Sequence, residues 1–365
     1  MKLNCNKNEL YRLISLAERS TSKNPTLPTL SSVLLKTGKN QLSVISTNLE
    51  VGFEGNLSAK VEKEGEALPP IKTLISILYS IPDEEITLEN QNNNLKITSK
   101  TSTSKIKCLS VEEFPVIPKI KKEKFFSIHQ DDLTQALKNT IPAASLTHTK
   151  PELASIYIYS QGKFPITFVA TDSFRLSEHK TSLNFPSLSI LLPQKSAQEI
   201  TRIFEDSAGD IDVIFNNNQI VFQNRNISFL SRLTEGSFPE YQTIIPKSFE
   251  TQVVVEKNSI LGSTRAAGVF SSKLSEITLS VKAEEGNLIV KSSSPDTGEY
   301  EAISTAKISG QDVEANFNYH YLLEALQLIS GPKVFLGFNG AQKAVLVKGM
   351  DESGYIHLVM PMRGV

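Results

Sequence analysis

The feature that most constrains this chain is a pattern written three times. Phe126 to Ser145, FSIHQDDLTQALKNTIPAAS, reads as a short strand running into an amphipathic helix, and LNCNKNELYRLISLAERST from Leu3 and VVVEKNSILGSTRAAGVFS from Val253 repeat it. Leu10, Leu133 and Ile260 hold the same place in the three copies, 123 and 127 residues apart. Such a spacing is too long for stacked solenoid repeats and suits whole domains.

A second marker keeps nearly the same period. LPPIKTLISIL from Leu68, LLPQKSAQEITRIF from Leu191 and NFNYHYLLEALQLI from Asn316 each open a further helix, so that Lys72, Lys195 and His320 correspond. Phe114-Pro115 with Ile117-Pro118, and Phe238-Pro239 with Ile245-Pro246, close the first two copies with an extended connector, because proline fixes its own φ and disfavours helix before it. The repeat predicts three domains, 1-122, 123-247 and 248-365, each large enough to bury its own core.

Within each third the apolar spacing predicts two helices on antiparallel sheet, an α+β unit. Leu10, Leu13, Ile14 and Ala17 form one helical stripe, and Leu133, Ala136, Leu137 and Ile141 form its counterpart, with Pro142 as the stop. Strands are expected at Ser31 to Lys36, Gln41 to Ser46 and Glu50 to Leu57, at Ser155 to Ser160 and Ile166 to Ala170, and at Ser275 to Val281, Leu288 to Ser292 and Val334 to Phe338. The polar runs Asn90 to Asn94 and Asn216 to Asn218 predict hairpin turns. Gly262 and Gly268 lower the propensity of the third copy's first helix.

Hydrophobic residues make up 39% and charged residues 21% of the chain, an ordinary globular balance, and no apolar run is long enough to cross a membrane. The start MKLNCNKNEL carries no basic-then-apolar leader, which points to the cytoplasm. Cys5 and Cys108 lack a CxxC or a histidine at ligand spacing, so no disulfide framework, metal site or cofactor is expected. A net charge of −1 argues against a protein that coats nucleic acid indiscriminately. Cations nevertheless recur on the helices: Arg12 and Arg19, Lys195 and Arg202 each sit seven apart on one face, and Lys138, Arg265 and Lys273 lie off the apolar stripes.

Three similar domains joined by short connectors favour an arc, which closes only with a second copy. If the helices line the inside at roughly 10 Å each, twelve of them give a circumference of about 120 Å and a clear hole of roughly 28 Å, wide enough for duplex DNA. Cations on such a lining attract phosphates without reading bases, while Asp83 to Glu85 and Glu284-Glu285 would lie outside.

Five stretches carry a family resemblance: PTLPTLSSVLL from Pro25, STNLEVGF from Ser46, VATDSFRL from Val169, EGSFPEYQTIIP from Glu235 and the terminal VMPMRGV from Val359. In this order, and over the whole chain, they closely resemble the bacterial DNA polymerase III beta subunit, the sliding clamps. The resemblance implies a non-catalytic, head-to-tail homodimeric ring on duplex DNA. It also implies partners, namely the replicative polymerase subunit, the clamp loader, and repair or translesion proteins with a clamp-binding motif. Their peptides would enter a groove between the second and third domains. By resemblance that groove would use Leu153, Thr171, Ser173, Phe174, Arg175 and Leu176, completed by Pro239, Thr243, Ile244, Asn318, Tyr321, Val345, Val359, Met360, Pro361, Met362 and Arg363. Its apolar, methionine-containing character suits a site that serves several partners. DNA would meet Lys23, Asn24, Lys72, Lys138, Lys150, Lys195 and Arg202.

The chain departs from the family at Ser173-Phe174, where Gly-His is usual, at Asn24, where a basic residue is common, and in its last residues, Gly364-Val365. Phe174 makes the groove wall larger and less polar, which predicts altered selectivity among partner motifs. A hydrolase built on Asp172 with Glu178 is the competing reading, but Thr-Asp-Ser after a strand is a turn that bonds its own backbone. His129, His148, His179, His320 and His357 pair with no serine or cysteine motif. A monomeric single-strand binder would need aromatics interleaved with cations, and the chain has no tryptophan.

Overall fold

The computed structural model describes residues 1–118, 120, 124–147, 149–162, 164–351 and 354–362. Six α-helices occur among them: α1 (Lys7–Glu18), α2 (Ile71–Ser80), α3 (Gln130–Thr140), α4 (Gln194–Phe204), α5 (Lys257–Val269) and α6 (Tyr319–Leu328). In all three thirds a strand precedes the first helix, a run of strands separates it from the second, and three strands follow. No helix of the described residues is long and apolar enough to cross a membrane.

Local chemistry explains the helix ends. The Asn6 side chain accepts hydrogen bonds from the backbone N–H groups of Asn8 and Glu9 at 2.9 and 3.1 Å, which starts α1 and turns Leu10, Leu13, Ile14 and Ala17 inward. Asn318 caps α6 in the same way through His320 N–H at 3.0 Å. Helix α3 stops at Thr140, and Ile141–Ala143 forms a 3-10 turn, so Ile141 leaves the helical stripe expected of it. Pro142 lacks the N–H that a continuing helix would need.

Two compact units make up the chain, 1–131 with 199–233, and 132–198 with 234–365. The first holds two antiparallel sheets. One has five strands, in the order Lys60–Lys63, Lys2–Asn6, Glu85–Gln91, Asn94–Thr98 and Thr103–Lys107. The other has eight, from Lys124–His129 at one edge to Glu66–Ala67 at the other, and joins Ile227–Arg232 to Val51–Ser58 with Ser231 opposite Val51. The second unit carries one twelve-stranded sheet, in which Arg175–Asn184 pairs with Tyr355–Val359, Arg175 lying opposite Val359. Strands from different thirds of the sequence are thus hydrogen-bonded neighbours in both units.

The expected strand at Ser31 to Lys36 is displaced. Pro28–Ser31 is a 3-10 turn and the strand runs Leu34–Gly38, because Pro28 favours the first turn of a helix. Asn92 and Asn93, with φ of 49° and 59°, make the tight hairpin turn that the asparagine run predicts. In the other hairpin Asn216 Oδ1 accepts from Asn218 and Gln219 N–H at 2.9 Å. Cys5 and Cys108 are buried free thiols, and burial, followed by Glu85 and Glu9, pushes Cys5 up to about 12. No group of three acidic, histidine or cysteine side chains that could hold a metal occurs among the described residues.

Candidate functional site

In the second unit, the turn between the strands Pro165–Thr171 and Arg175–Asn184 is built from its own side chains. Asp172 Oδ1 accepts from Phe174 and Arg175 N–H at 2.9 and 3.0 Å, Thr171 Oγ1 donates to the Arg175 carbonyl at 2.6 Å, and Ser173 takes a φ of 78°. Asp172 is therefore a turn former. The same construction occurs in the first unit: Asn48 Oδ1 accepts from Glu50 and Val51 N–H, Thr47 Oγ1 donates to the Val51 carbonyl, and Leu49 has a φ of 78°. Each turn also receives a backbone bond from the neighbouring third, Met360 N–H to Phe174 O at 2.8 Å and Arg232 N–H to Glu50 O at 2.9 Å.

What distinguishes the second turn is Arg175. Its side chain is 9% exposed, donates from Nε to Asp172 Oδ2 at 3.1 Å, pairs through its terminal nitrogen with Glu324, and lies over the Tyr321 ring at 4.3 Å. A guanidinium is suited to this place because its flat fork can satisfy two carboxylates while its face stacks on a ring. Burial pushes the Glu324 carboxyl upward, and Arg175 opposes that shift. Tyr321 is raised by burial first and then by Asp172.

Around this web the structure gathers much of the expected groove. Val359 lies opposite both Arg175 and Val345 in the sheet, Leu176 is buried against Leu358 and Leu346, and Met362 N–H bonds to Asn316 O at 2.8 Å beside the Asn318 cap. Phe174, Ile244 and Met360 present apolar side chains to solvent, at 62%, 53% and 41% exposure. Pro361 and Met362 are half-buried, and Leu153 is buried in the turn after α3. Pro239 and Thr243 are exposed on the connector, where Gln242–Ile244 forms a 3-10 turn. Arg363, Gly364 and Val365 lie outside the described residues.

That connector is tied down by aromatics. Phe238 stacks on Tyr157 at 5.0 Å, Tyr157 on Tyr159 at 4.9 Å, and Tyr241 donates to Glu178 Oε2 at 2.5 Å while its oxygen lies 2.7 Å from that of Tyr159. Glu178 is also held by Lys180 at 2.9 Å. Burial, then Glu178, drives the Tyr241 hydroxyl far above its ordinary range.

Sequence reasoning missed Glu324 and His357. Glu324 falls three residues after Tyr321 and so shares its helical face, a signal that was present. His357 is fully buried, with Nδ1 at 2.6 Å from Ser177 Oγ and 3.2 Å from the Tyr355 hydroxyl, and burial followed by Arg175 lowers it to about 3.

Of the cations expected at DNA, Lys23, Lys72, Lys138, Lys150, Lys195 and Arg202 are exposed. Arg202 pairs with Glu199 at 3.0 Å, and Glu199 also meets Arg19 at 3.4 Å. Asn24 is half-buried, its Oδ1 accepting from Thr26 and Leu27 N–H at 2.9 and 3.2 Å, so this oxygen shapes the proline-rich loop.

Comparison with known proteins accounts for this arrangement. Three family models match in succession: the N-terminal domain of the DNA polymerase III beta subunit over residues 1–118, its central domain over 127–240 and its C-terminal domain over 242–363. The chain is 28% identical over 371 residues to the beta sliding clamp of Streptococcus pneumoniae strain R6, with 98% of each chain covered, and 24% identical over 378 residues to that of Bacillus subtilis, with 100% of each covered. Among solved structures, the DNA polymerase sliding clamp of Bacillus subtilis superimposes with a TM-score of 0.95 at 23% identity, and a Pseudomonas aeruginosa sliding clamp bound to griselimycin with 0.94 at 24%, each covering 100% of both chains. With all three of its domain models present in order along a three-domain fold, the chain belongs to the DNA polymerase III beta subunit family, the sliding clamps.

Proposed function

We propose that two copies of this chain close head to tail into a ring on duplex DNA and hold the replicative polymerase there, so that synthesis continues without dissociation. The protein catalyses nothing itself. It acts in the cytoplasm, and the polymerase subunit, the clamp loader and repair or translesion proteins reach it through short motifs. Membership of the family carries the reading.

The free strand edges support the assembly. Ile227–Arg232 ends the second third and pairs with Val51–Ser58, and Tyr355–Val359 ends the last third and pairs with Arg175–Asn184. Their counterparts are Thr103–Lys107, which ends the first third as the outer strand of the five-stranded sheet, and the first part of Gly298–Ser309, where Gly298 to Thr305 pair on one side with Asn287–Ser294 while Ala306 to Ser309 pair with Thr251–Glu256. Carried over strand by strand, the register sets Ile106 opposite Gly298 and Lys105 opposite Glu299 of a second copy. Exposed Ile303, Leu274 and Val269 would be covered there.

The domain limits we assign are 1-122, 123-247 and 248-365. Partner peptides would lie against Phe174, Ile244 and Met360, anchored by the Arg175 web, with Leu153, Thr171, Ser173, Leu176, Pro239, Thr243, Asn318, Tyr321, Val345, Val359, Pro361, Met362 and Arg363 forming the rest. Lys23, Lys72, Lys138, Lys150, Lys195 and Arg202 would contact phosphates, with Asn24 holding the loop. Phe174→His should change the ranking of partner peptides in a titration, and equal affinities for every peptide would refute a selectivity role.

The first test is electron-microscope class averages of the purified protein. A closed particle with a hole near the roughly 28 Å of twelve packed helices is expected; a compact particle without a hole would overturn the ring.

A further inference from the structure

The second helix of each third repeats more than its apolar stripe. Lys72, Lys195 and His320 correspond, and seven residues further along the same helical face stand Tyr79, Arg202 and Gln327. All six are exposed, and every one carries an N–H or O–H that can donate a hydrogen bond. Charge is not shared in the same way. At the first position two of the three are fixed cations, whereas at the second only Arg202 is, and Glu199 already pairs with it at 3.0 Å. Donation, not charge, is what the second position keeps.

Helix α2 turns Ile71, Leu74 and Leu78 inward and carries Lys72, Ser76 and Tyr79 along one exposed stripe, with no carboxylate anywhere in the helix. Ser76 Oγ donates to the Lys72 carbonyl and Ser80 Oγ to the Ile77 carbonyl, both at 2.9 Å, so these two hydroxyls are turned back onto the helix. The Tyr79 hydroxyl makes no hydrogen bond with any described residue. Its side chain, 77% exposed, is the most exposed aromatic among the described residues, and the Tyr11 ring of α1 steadies it at 6.2 Å and 41°. A phenol placed in this way can donate to an anionic oxygen with little further ordering.

We infer that Tyr79 is a DNA contact that donates from its hydroxyl to a backbone phosphate oxygen, and that Gln327 does the same from its amide in the last third. The inference rests on the proposed ring, in which the second helices face the duplex, and it adds uncharged donors to the cations assigned there. Tyrosine and glutamine donate to phosphates as lysine and arginine do, but neutralise none of them and so release no counterion. Part of the hold on DNA is therefore independent of salt, which suits a chain whose net charge is −1.

The test measures the affinity of the full-length protein for a fluorescent DNA duplex over a series of salt concentrations. Tyr79→Phe keeps the ring against Tyr11 and removes only the hydroxyl. It should bind about three- to tenfold more weakly at every salt concentration, with an unchanged melting temperature and an unchanged slope of log affinity against log salt. Gln327→Ala should behave alike. Tyr79→Arg, which copies Arg202, should recover the affinity at low salt and steepen the slope by roughly 0.9 for each copy in contact, whereas Lys72→Gln should flatten it. Equal affinity of Tyr79→Phe and the unaltered protein would overturn the inference, as would a loss that comes with a changed slope. Class averages separate this from a failure of the ring: a closed ring with binding unaffected in Tyr79→Phe overturns the contact alone, and a particle without a hole overturns both.

Discussion

His357, fully buried, and Glu324, half-buried, each tie the site to pH. His357 stays neutral in the folded chain because burial and the nearby Arg175 charge hold it at about 3, whereas in the unfolded chain it takes a proton near 6.5. Its lowered pKa therefore contributes stability above that value, which is lost as the pH falls from about 6.5 towards 3, on the order of 5 kcal/mol in all. Urea midpoints at pH 7 and pH 4.5 should lie much closer together in His357→Gln than in the unaltered protein; identical spacing would refute the assignment. Glu324 works in the opposite sense: its raised carboxyl favours folding only while protonated, so that contribution disappears as the pH rises. Of the two, Glu324's place was legible in the sequence, three residues after Tyr321 on one helical face, and that of His357 was not. The Thr-Asp-Ser turn was legible too, because short polar side chains act on their own backbone, whereas His357 gains its surroundings from Ser177, a strand neighbour 180 residues away.

At the scale of elements, α5 separates a propensity effect from a packing effect. Gly262 and Gly268 both weaken a helix on paper. A Cβ at Gly262 would meet nothing within 4 Å, while one at Gly268 would lie 2.6 Å from the Tyr319 ring of α6. Gly262→Ala should stabilise the protein by up to about 1 kcal/mol, and Gly268→Ala should destabilise it by about 1–3 kcal/mol as the ring is displaced. Thermal melts of the two variants shifting in the same direction would refute this distinction. All six helices were legible from their apolar spacing and caps, which are local. Many strands were not, among them Thr103–Lys107, TSKIK, and Gly298–Ser309, because a strand with this many polar and exposed residues shows its identity in its pairing.

At the scale of the molecule, the threefold period was the most legible property, since it depends on correspondence and not on any one residue. The edges it leaves open carry complementary charge, Lys105 and Lys107 on one and Glu299 and Glu301 on the other, all exposed. Lys105→Glu should weaken the proposed dimer at least tenfold in sedimentation, and Glu299→Lys added to it should recover most of the loss. The paired variant remaining as weak as the single one would refute the proposed register.

Those open edges also set a hazard. A contact that joins unlike surfaces closes only when its rotation divides a full turn; otherwise copies add without limit. Substitutions that merely tilt Phe53 against Phe229 within the first unit would leave each chain folded and every edge intact. Their outcome would be filaments, a failure of curvature in a protein whose stability is normal.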